Sequence, residues 1–176
     1  IHTVKVSSTL ELEGAVSYAA GEANVVIMAA AVADYRPETV VEHKIKKEQQ
    51  GERLTLELVK NPDILASLVA NRTDAGQIIV GFAAETEPDD AALLALGTAK
   101  IARKGSDYLV VNRVGWAEGF ATTENTVMVL ASGGAIVMKK SGSKAAVADA
   151  LLDVVAAHLS AKPAAAPHTF TQTTFN

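Results

Sequence analysis

A chain of 176 residues is long enough for one domain with a substantial core, and its 49% hydrophobic and 20% charged content excludes a disordered polyelectrolyte. A formal charge of −4 gives no reason to expect a nucleic-acid groove or a polybasic membrane surface, and no apolar run approaches the roughly 18 residues of a membrane span. Without cysteine, disulfides and thiolate zinc sites are excluded, and His2, His43, His158 and His168 show no metal-ligand spacing. The opening Ile1-His2-Thr3-Val4 carries no secretory leader and no initiator Met. It reads as a start partway through a longer, cytoplasmic gene product.

In chain order, Thr3 to Val6 alternates like a short strand. Ser7-Ser8-Thr9 offers N-caps for a helix over Leu10 to Ala20, with Glu11 and Glu13 near its positive end and Gly21 as its stop. Val25 to Ala29 is a short continuous apolar run, the pattern of a strand buried on both faces. The pattern then changes. His43 to Lys47 and Leu54 to Lys60 both alternate across a turn at Gly51, which predicts a projecting hairpin arm. Such an arm is marginal in water alone and would pair with a second subunit. Asn61 is placed to cap a helix over Ile64 to Asn71, with Pro62 at its first position.

Gln77 to Ala83 is the next buried strand, Asp89 to Lys104 a helix stopped by Gly105, and Asp107 to Asn112 a further buried strand. Thr126 to Ser132 and Ala135 to Lys140, joined at Gly133-Gly134, predict a second hairpin. Ser143 starts a helix to about Leu159, and an Ala-, Pro- and Thr-rich tail, 160–176, follows the 1–159 domain as an extension. Alternating strands and helices predict an α/β fold with a mainly parallel sheet.

In such a sheet, ligands bind beyond the carboxyl ends of the strands. The first buried strand leads into Ala30-Ala31-Val32-Ala33-Asp34, where small residues let a ligand approach the backbone and Asp34 adds an acceptor. The second leads through Phe82, whose ring suits stacking on a base, and the third ends at Asn112. Taken singly, these are a tight strand end, a core aromatic and turn residues. Their shared placement raises them together. Lys44 and Lys46 share a face of the arm with Lys47 opposite, either as a solvated edge or to reach a triphosphate. Lys100 and Lys104 share a helix face with Arg103 nearby, either complementing the helix dipole or flanking a phosphate. Lys139 to Lys144 lacks the preceding glycine of a P-loop, and no GxGxxG occurs, which argues against a nicotinamide oxidoreductase. No Ser-His-Asp or Cys-His set is evident.

The strings AAAVADYRP (29–37), KIKK (44–47), LVKNPDIL (58–65), GFAAET (81–86) and KIARKGSDYLVVN (100–112), in this order, resemble the phosphopantothenate–cysteine ligase domain of bacterial coenzyme A biosynthesis enzymes. The resemblance covers roughly Thr3 to Leu159. It implies a Rossmann-like three-layer fold that dimerises through the 43–60 arm, in many bacteria fused to a decarboxylase that carries FMN. It implies two steps assisted by Mg2+: CTP and phosphopantothenate give an acyl-cytidylate and pyrophosphate, and cysteine then displaces CMP. It places Met28, Ala29, Ala30, Asp34, Pro62, Asp63, Ile64, Leu65, Phe82, Lys100 and Lys104 around the nucleotide. Lys44 becomes the catalytic cation at the phosphates, and Ala30, Ala31 and Asn112 lie toward phosphopantothenate. The family also begins with a glycine-rich strand–turn and an SGK-like stretch that do not precede Ile1. Weak CTP binding and little turnover by these 176 residues are therefore expected, or a role as a nucleotide-binding and dimerising fragment of the same fold.

Overall fold

The computed structural model describes residues 1–41, 43–46, 52–114 and 124–161. Helix α1 (Thr9–Ala20) leads into β1 (Val25–Met28). A short antiparallel pair, β2 (Tyr35–Pro37) and β3 (Leu58–Lys60), stands apart from the main sheet. Helix α2 (Ile64–Ala70), β4 (Ile78–Glu85), α3 (Asp90–Lys104), β5 (Tyr108–Arg113), β6 (Glu124–Ala131), β7 (Ile136–Ser143) and α4 (Lys144–Ala161) complete the order. The main sheet runs β1-β4-β5-β6-β7. The β1–β4 and β4–β5 ladders are parallel, and β6–β7 is an antiparallel hairpin attached beside β5.

Alternation along the strands builds three layers. On β4, Ile79 and Ala83 face one side and Ile78 and Val80 the other. On the first side α1 and α2 pack over Val26 and Ile79, and α3 packs over Leu109, Val111, Met128 and Leu130. On the second, Val147, Leu151 and Val155 of α4 cover Ile78, Val80, Val110 and Val129. The C-terminal turn of α4 is anchored by a 2.8 Å hydrogen bond between Tyr108 Oη and His158 Nδ1. Burial of each central aliphatic side chain contributes about 1.5–3 kcal/mol. Gly81 brings α2 onto β4, since a Cβ there would lie 2.4 Å from Leu65 Cδ2. The expected α/β architecture with its C-terminal hairpin is therefore observed.

Local signals set most boundaries. Ser8 and Glu11 form a reciprocal capping box at α1, and Gly105 ends α3 at φ 73°, a left-handed conformation that glycine adopts at little cost. Three expectations are corrected. Thr3 to Val6 forms no strand: among the described residues β1 pairs only with β4 and its outer edge is not joined by this segment, and Val4 and Val6 are exposed. The arm's ladder is formed at its base by β2 with β3 rather than by residues 43–46. Residues 43–46 have no regular structure, and Lys47 and the Gly51 turn lie outside the described residues. Finally, the cap of α2 is Asp63, whose side chain accepts from Ala66 N–H at 3.2 Å, and not Asn61. Helix α4 runs to Ala161, close to the expected end at about Leu159, and residues 162–176 of the expected extension lie outside the described residues.

The amino ends of β4 and β5 are joined by one side chain. Asp107 takes a bidentate pair from Arg72 (3.1 and 2.9 Å) and accepts the Ile79 N–H at 2.7 Å. Removing it strands a cation and a buried donor together. Asp107→Ala is expected to lower the unfolding free energy by about 2–3 kcal/mol in urea denaturation, with Asp107→Asn recovering part of the loss.

Candidate functional site

At the carboxyl ends of β1 and β4 lies a cleft of about 390 Å³. One wall is the turn Ala30 to Asp34 that follows β1, with Met28 beneath it. The opposite wall is Lys60 to Leu65, the end of β3 and the start of α2. Phe82, Ala83 and Ala84 of β4 form the floor, and Lys100, Arg103 and Lys104 of α3 close the side. Phe82 is 37% exposed, unlike the buried aliphatic residues earlier in its strand, so its ring is available to a flat ligand.

Of the residues expected around a ligand, Met28, Ala30, Ala31, Asp34, Pro62, Asp63, Ile64, Leu65, Phe82, Lys100 and Lys104 all line this cleft. Ala29, Lys44 and Asn112 do not. Lys44 sits exposed on the irregular segment 43–46. Asn112 lies one strand over, in register with Ala84, and its Oδ1 is buried without a hydrogen-bond partner. Residues absent from the expected set also line the cleft, notably Lys60, Asn61 and Arg103. Arg103 carried a sequence signal, three residues after Lys100 and adjacent to Lys104. Asn61 was read as a cap, and only the structure shows what its amide does.

The lysines on α3 are held by carboxylates from two other elements. Lys100 Nζ pairs with Glu85 at 2.5 Å, and Lys104 pairs with Asp63. Lys104 and Arg103 also occupy the last turn of α3, where cations suit the helix dipole. Asp34 adds a carboxylate with no ion pair among the described residues. Pairs of this kind are partly solvated and weak, so an incoming anion can exchange for the carboxylate without a large cost. The arrangement can therefore accept a flat ring against Phe82, polar edges at the two backbone walls, and an anionic group toward α3.

Burial pushes the Asp63 carboxyl up, but hydrogen bonds from Lys104 and from Ala66 N–H, with the charges of Lys104 and Arg103, outweigh it and leave the group below its ordinary value of 3.8. The stabilisation that follows from a depressed folded-state pKa is complete above the ordinary value and is lost as pH falls through the lowered one. The melting-temperature difference between the wild type and Asp63→Asn is therefore expected to hold constant from pH 7 to about 5 and to shrink below about 4.

Residues 1–159 match the family model described as the DNA/pantothenate metabolism flavoprotein C-terminal domain. The Coenzyme A biosynthesis bifunctional protein CoaBC of Mycobacterium bovis is 43% identical over 164 residues, covering 90% of this chain but 39% of that protein. This chain thus spans well under half the length of that relative. The crystal structure of the C-terminal domain of a CoaBC superposes with a TM-score of 0.66 at 28% identity, over 91% of this chain and 69% of that one. A Cab2 mutant in complex with phosphopantothenate-cysteine shares the fold, with a TM-score of 0.60 at 20% identity over 88% of this chain and 52% of that one.

Proposed function

The chain belongs to the DNA/pantothenate metabolism flavoprotein C-terminal domain family, and from that premise we propose that it is the ligase part of a coenzyme A biosynthesis enzyme, joining phosphopantothenate to cysteine at the expense of CTP. The observation that carries this reading is the cleft, which gathers segments 28–34, 60–65, 82–84 and 100–104 into one place. Those are the segments in which the resemblance puts the nucleotide.

In the proposed reaction a carboxylate oxygen of phosphopantothenate attacks the α-phosphorus of CTP. The bond to the bridging oxygen of pyrophosphate breaks, leaving an acyl-cytidylate. The cysteine amine then attacks the acyl carbon, CMP departs with the electron pair of the acyl C–O bond, and the proton lost from nitrogen passes to the departing phosphate or to water. Neither step needs a protein nucleophile; both need positioned cations and an oriented acyl group. Phe82 would stack on the cytosine, and the backbone of Met28 to Ala30 with Pro62 to Leu65 would read the nucleoside. Lys100 and Lys104 would turn from Glu85 and Asp63 toward the phosphates. Lys44 is assigned to the phosphoryl group undergoing transfer and must approach the cleft from its exposed position to act there. Ala30, Ala31 and Asn112 are assigned to the phosphopantothenate side, and the unpartnered Asn112 Oδ1 can accept an amide or hydroxyl proton.

Asp34, a hard oxygen donor in the cleft, fits Mg2+, which when bound would withdraw charge from the triphosphate. FMN would belong to a fused decarboxylase domain. No described helix is long and apolar enough to cross a membrane. A homodimer through the 43–60 arm is supported by its exposed apolar side chains, with Leu54 51% and Leu56 59% exposed.

Phosphopantothenate-dependent exchange of labelled pyrophosphate into CTP tests the first step. Slow exchange with CTP, together with a small rise in melting temperature with CTP and none with NAD, is the expected outcome. Thermal stabilisation by NAD alone would point instead to an oxidoreductase. For the dimer, Leu54→Lys combined with Leu56→Lys is expected to halve the mass seen by sedimentation without lowering the helix content.

A further inference from the structure

Asn61 is a buried polar residue, 6% exposed, between the two walls of the cleft. Its backbone N–H donates to Asp34 O at 2.8 Å, and its side-chain Nδ2 donates to Ala33 O, also at 2.8 Å. One residue thus holds two consecutive carbonyls of the turn after β1. Its Oδ1 accepts from Arg36 Nη1 at 3.1 Å, and that nitrogen also donates to Lys60 O at 3.0 Å. The arginine fixes the orientation of the amide, so that Nδ2 and not Oδ1 meets the Ala33 carbonyl.

The local sequence gives this position its leverage. Asn61 directly follows the end of β3 and stands opposite Asp34. Asn61 supplies the last backbone rung, and two residues later Asp63 caps α2. Any shift of Asn61 therefore moves the Ala30–Asp34 wall relative to the Pro62–Leu65 wall. The cations of the cleft are held separately, on α3, by their own carboxylates.

We propose that Asn61 is a positioning residue that sets the gap between the two nucleoside walls, acting through Ala33 and Asp34 without needing to touch the ligand. This rests on the nucleotide reading given above. A ring between two rigid walls loses contact energy with a displacement of well under an ångström, whereas a phosphate held by flexible lysines tolerates it. The signature is a split: affinity for the nucleoside-bearing ligand falls while affinity for the bare phosphate chain does not.

The test is calorimetric titration of the full chain with CTP and with pyrophosphate, for the wild type, Asn61→Ala, Asn61→Asp and Arg36→Met. Asn61→Ala is expected to weaken CTP by about tenfold or more and to leave pyrophosphate within about twofold. Asn61→Asp still accepts from Arg36 but places an acceptor against the Ala33 carbonyl, so it is expected to lose CTP affinity as Asn61→Ala does. Arg36→Met leaves the Nδ2 donor in place but frees its rotation, and is expected to weaken CTP by about threefold. It serves as the readout should the Asn61 variants not fold. Equal loss of CTP and pyrophosphate, or wild-type CTP affinity in Asn61→Asp or in Arg36→Met, overturns the positioning role while leaving the nucleotide reading intact. Wild-type protein that binds pyrophosphate as tightly as CTP removes the nucleoside site itself, and the positioning role with it.

Discussion

The sheet hangs on Asp107. Its carboxylate holds the Arg72 guanidinium and the Ile79 N–H, its own N–H donates to Ile79 O at 3.0 Å, and its carbonyl accepts from Ser132 N–H at 2.9 Å. Four segments therefore meet at one residue: the turn after α2, the start of β4, the start of β5 and the β6–β7 turn. Arg72 also donates to Gln77 O, and Gln77 Nε2 donates back to Ala20 O and Ala23 O, so the same network reaches the end of α1. A one-residue slip between β4 and β5 would turn every side chain of one strand to the wrong face. The clamp sets that register at the amino ends, and the cleft stands at the opposite ends of the same strands. Because Val80 pairs with Tyr108 and Glu85 with Arg113, the placement of Phe82 in the floor and of Glu85 beside Lys100 follows from the register.

The electrostatics of the cleft follow from that geometry. A cluster of Lys100, Arg103 and Lys104 on one stretch of helix would repel itself if left alone. Glu85 from β4 and Asp63 from the start of α2 neutralise two of the three charges. The pairs keep two long side chains pointed at the cleft, which lowers the ordering cost of meeting a phosphate. They also couple three elements, so the cation side of the site is part of the fold rather than an attachment to it. The two backbone walls depend on the neutral Asn61 amide instead. Charge-assisted contacts tolerate side-chain movement, while the backbone walls are held by short, directional neutral bonds.

Much of this organisation was legible in the sequence, and the exceptions share one cause. Ser8 with Glu11, Gly105 after Lys104, and Gly133-Gly134 between two alternating runs report on their own neighbourhoods, and each acts where expected. Thr3 to Val6 alternates equally well but joins no strand among the described residues, and His43 to Lys46 alternates without forming a ladder. Alternation states that a segment is able to pair; whether it does depends on which neighbour arrives. Asn61 before Pro62 has the look of a cap, yet Asp63 takes that role because its carboxylate reaches Ala66 N–H, and the Asn61 amide is drawn 28 residues back along the chain to Ala33.

By itself the sequence determined the element types, most of their limits and the candidacy of residues such as Asp34, Phe82, Lys100 and Lys104, because propensity, capping and alternation are free energies of short stretches of chain. Only the tertiary structure decided which candidates meet. It brought eleven of the expected residues to one cleft, left Lys44, Ala29 and Asn112 outside it, and added Lys60, Asn61 and Arg103. Those outcomes depend on strand register and on polar pairs made across long separations, such as Arg72 with Asp107 and Asn61 with Ala33. Such pairs form only once the hydrophobic layers have closed, so no local pattern in the chain announces them.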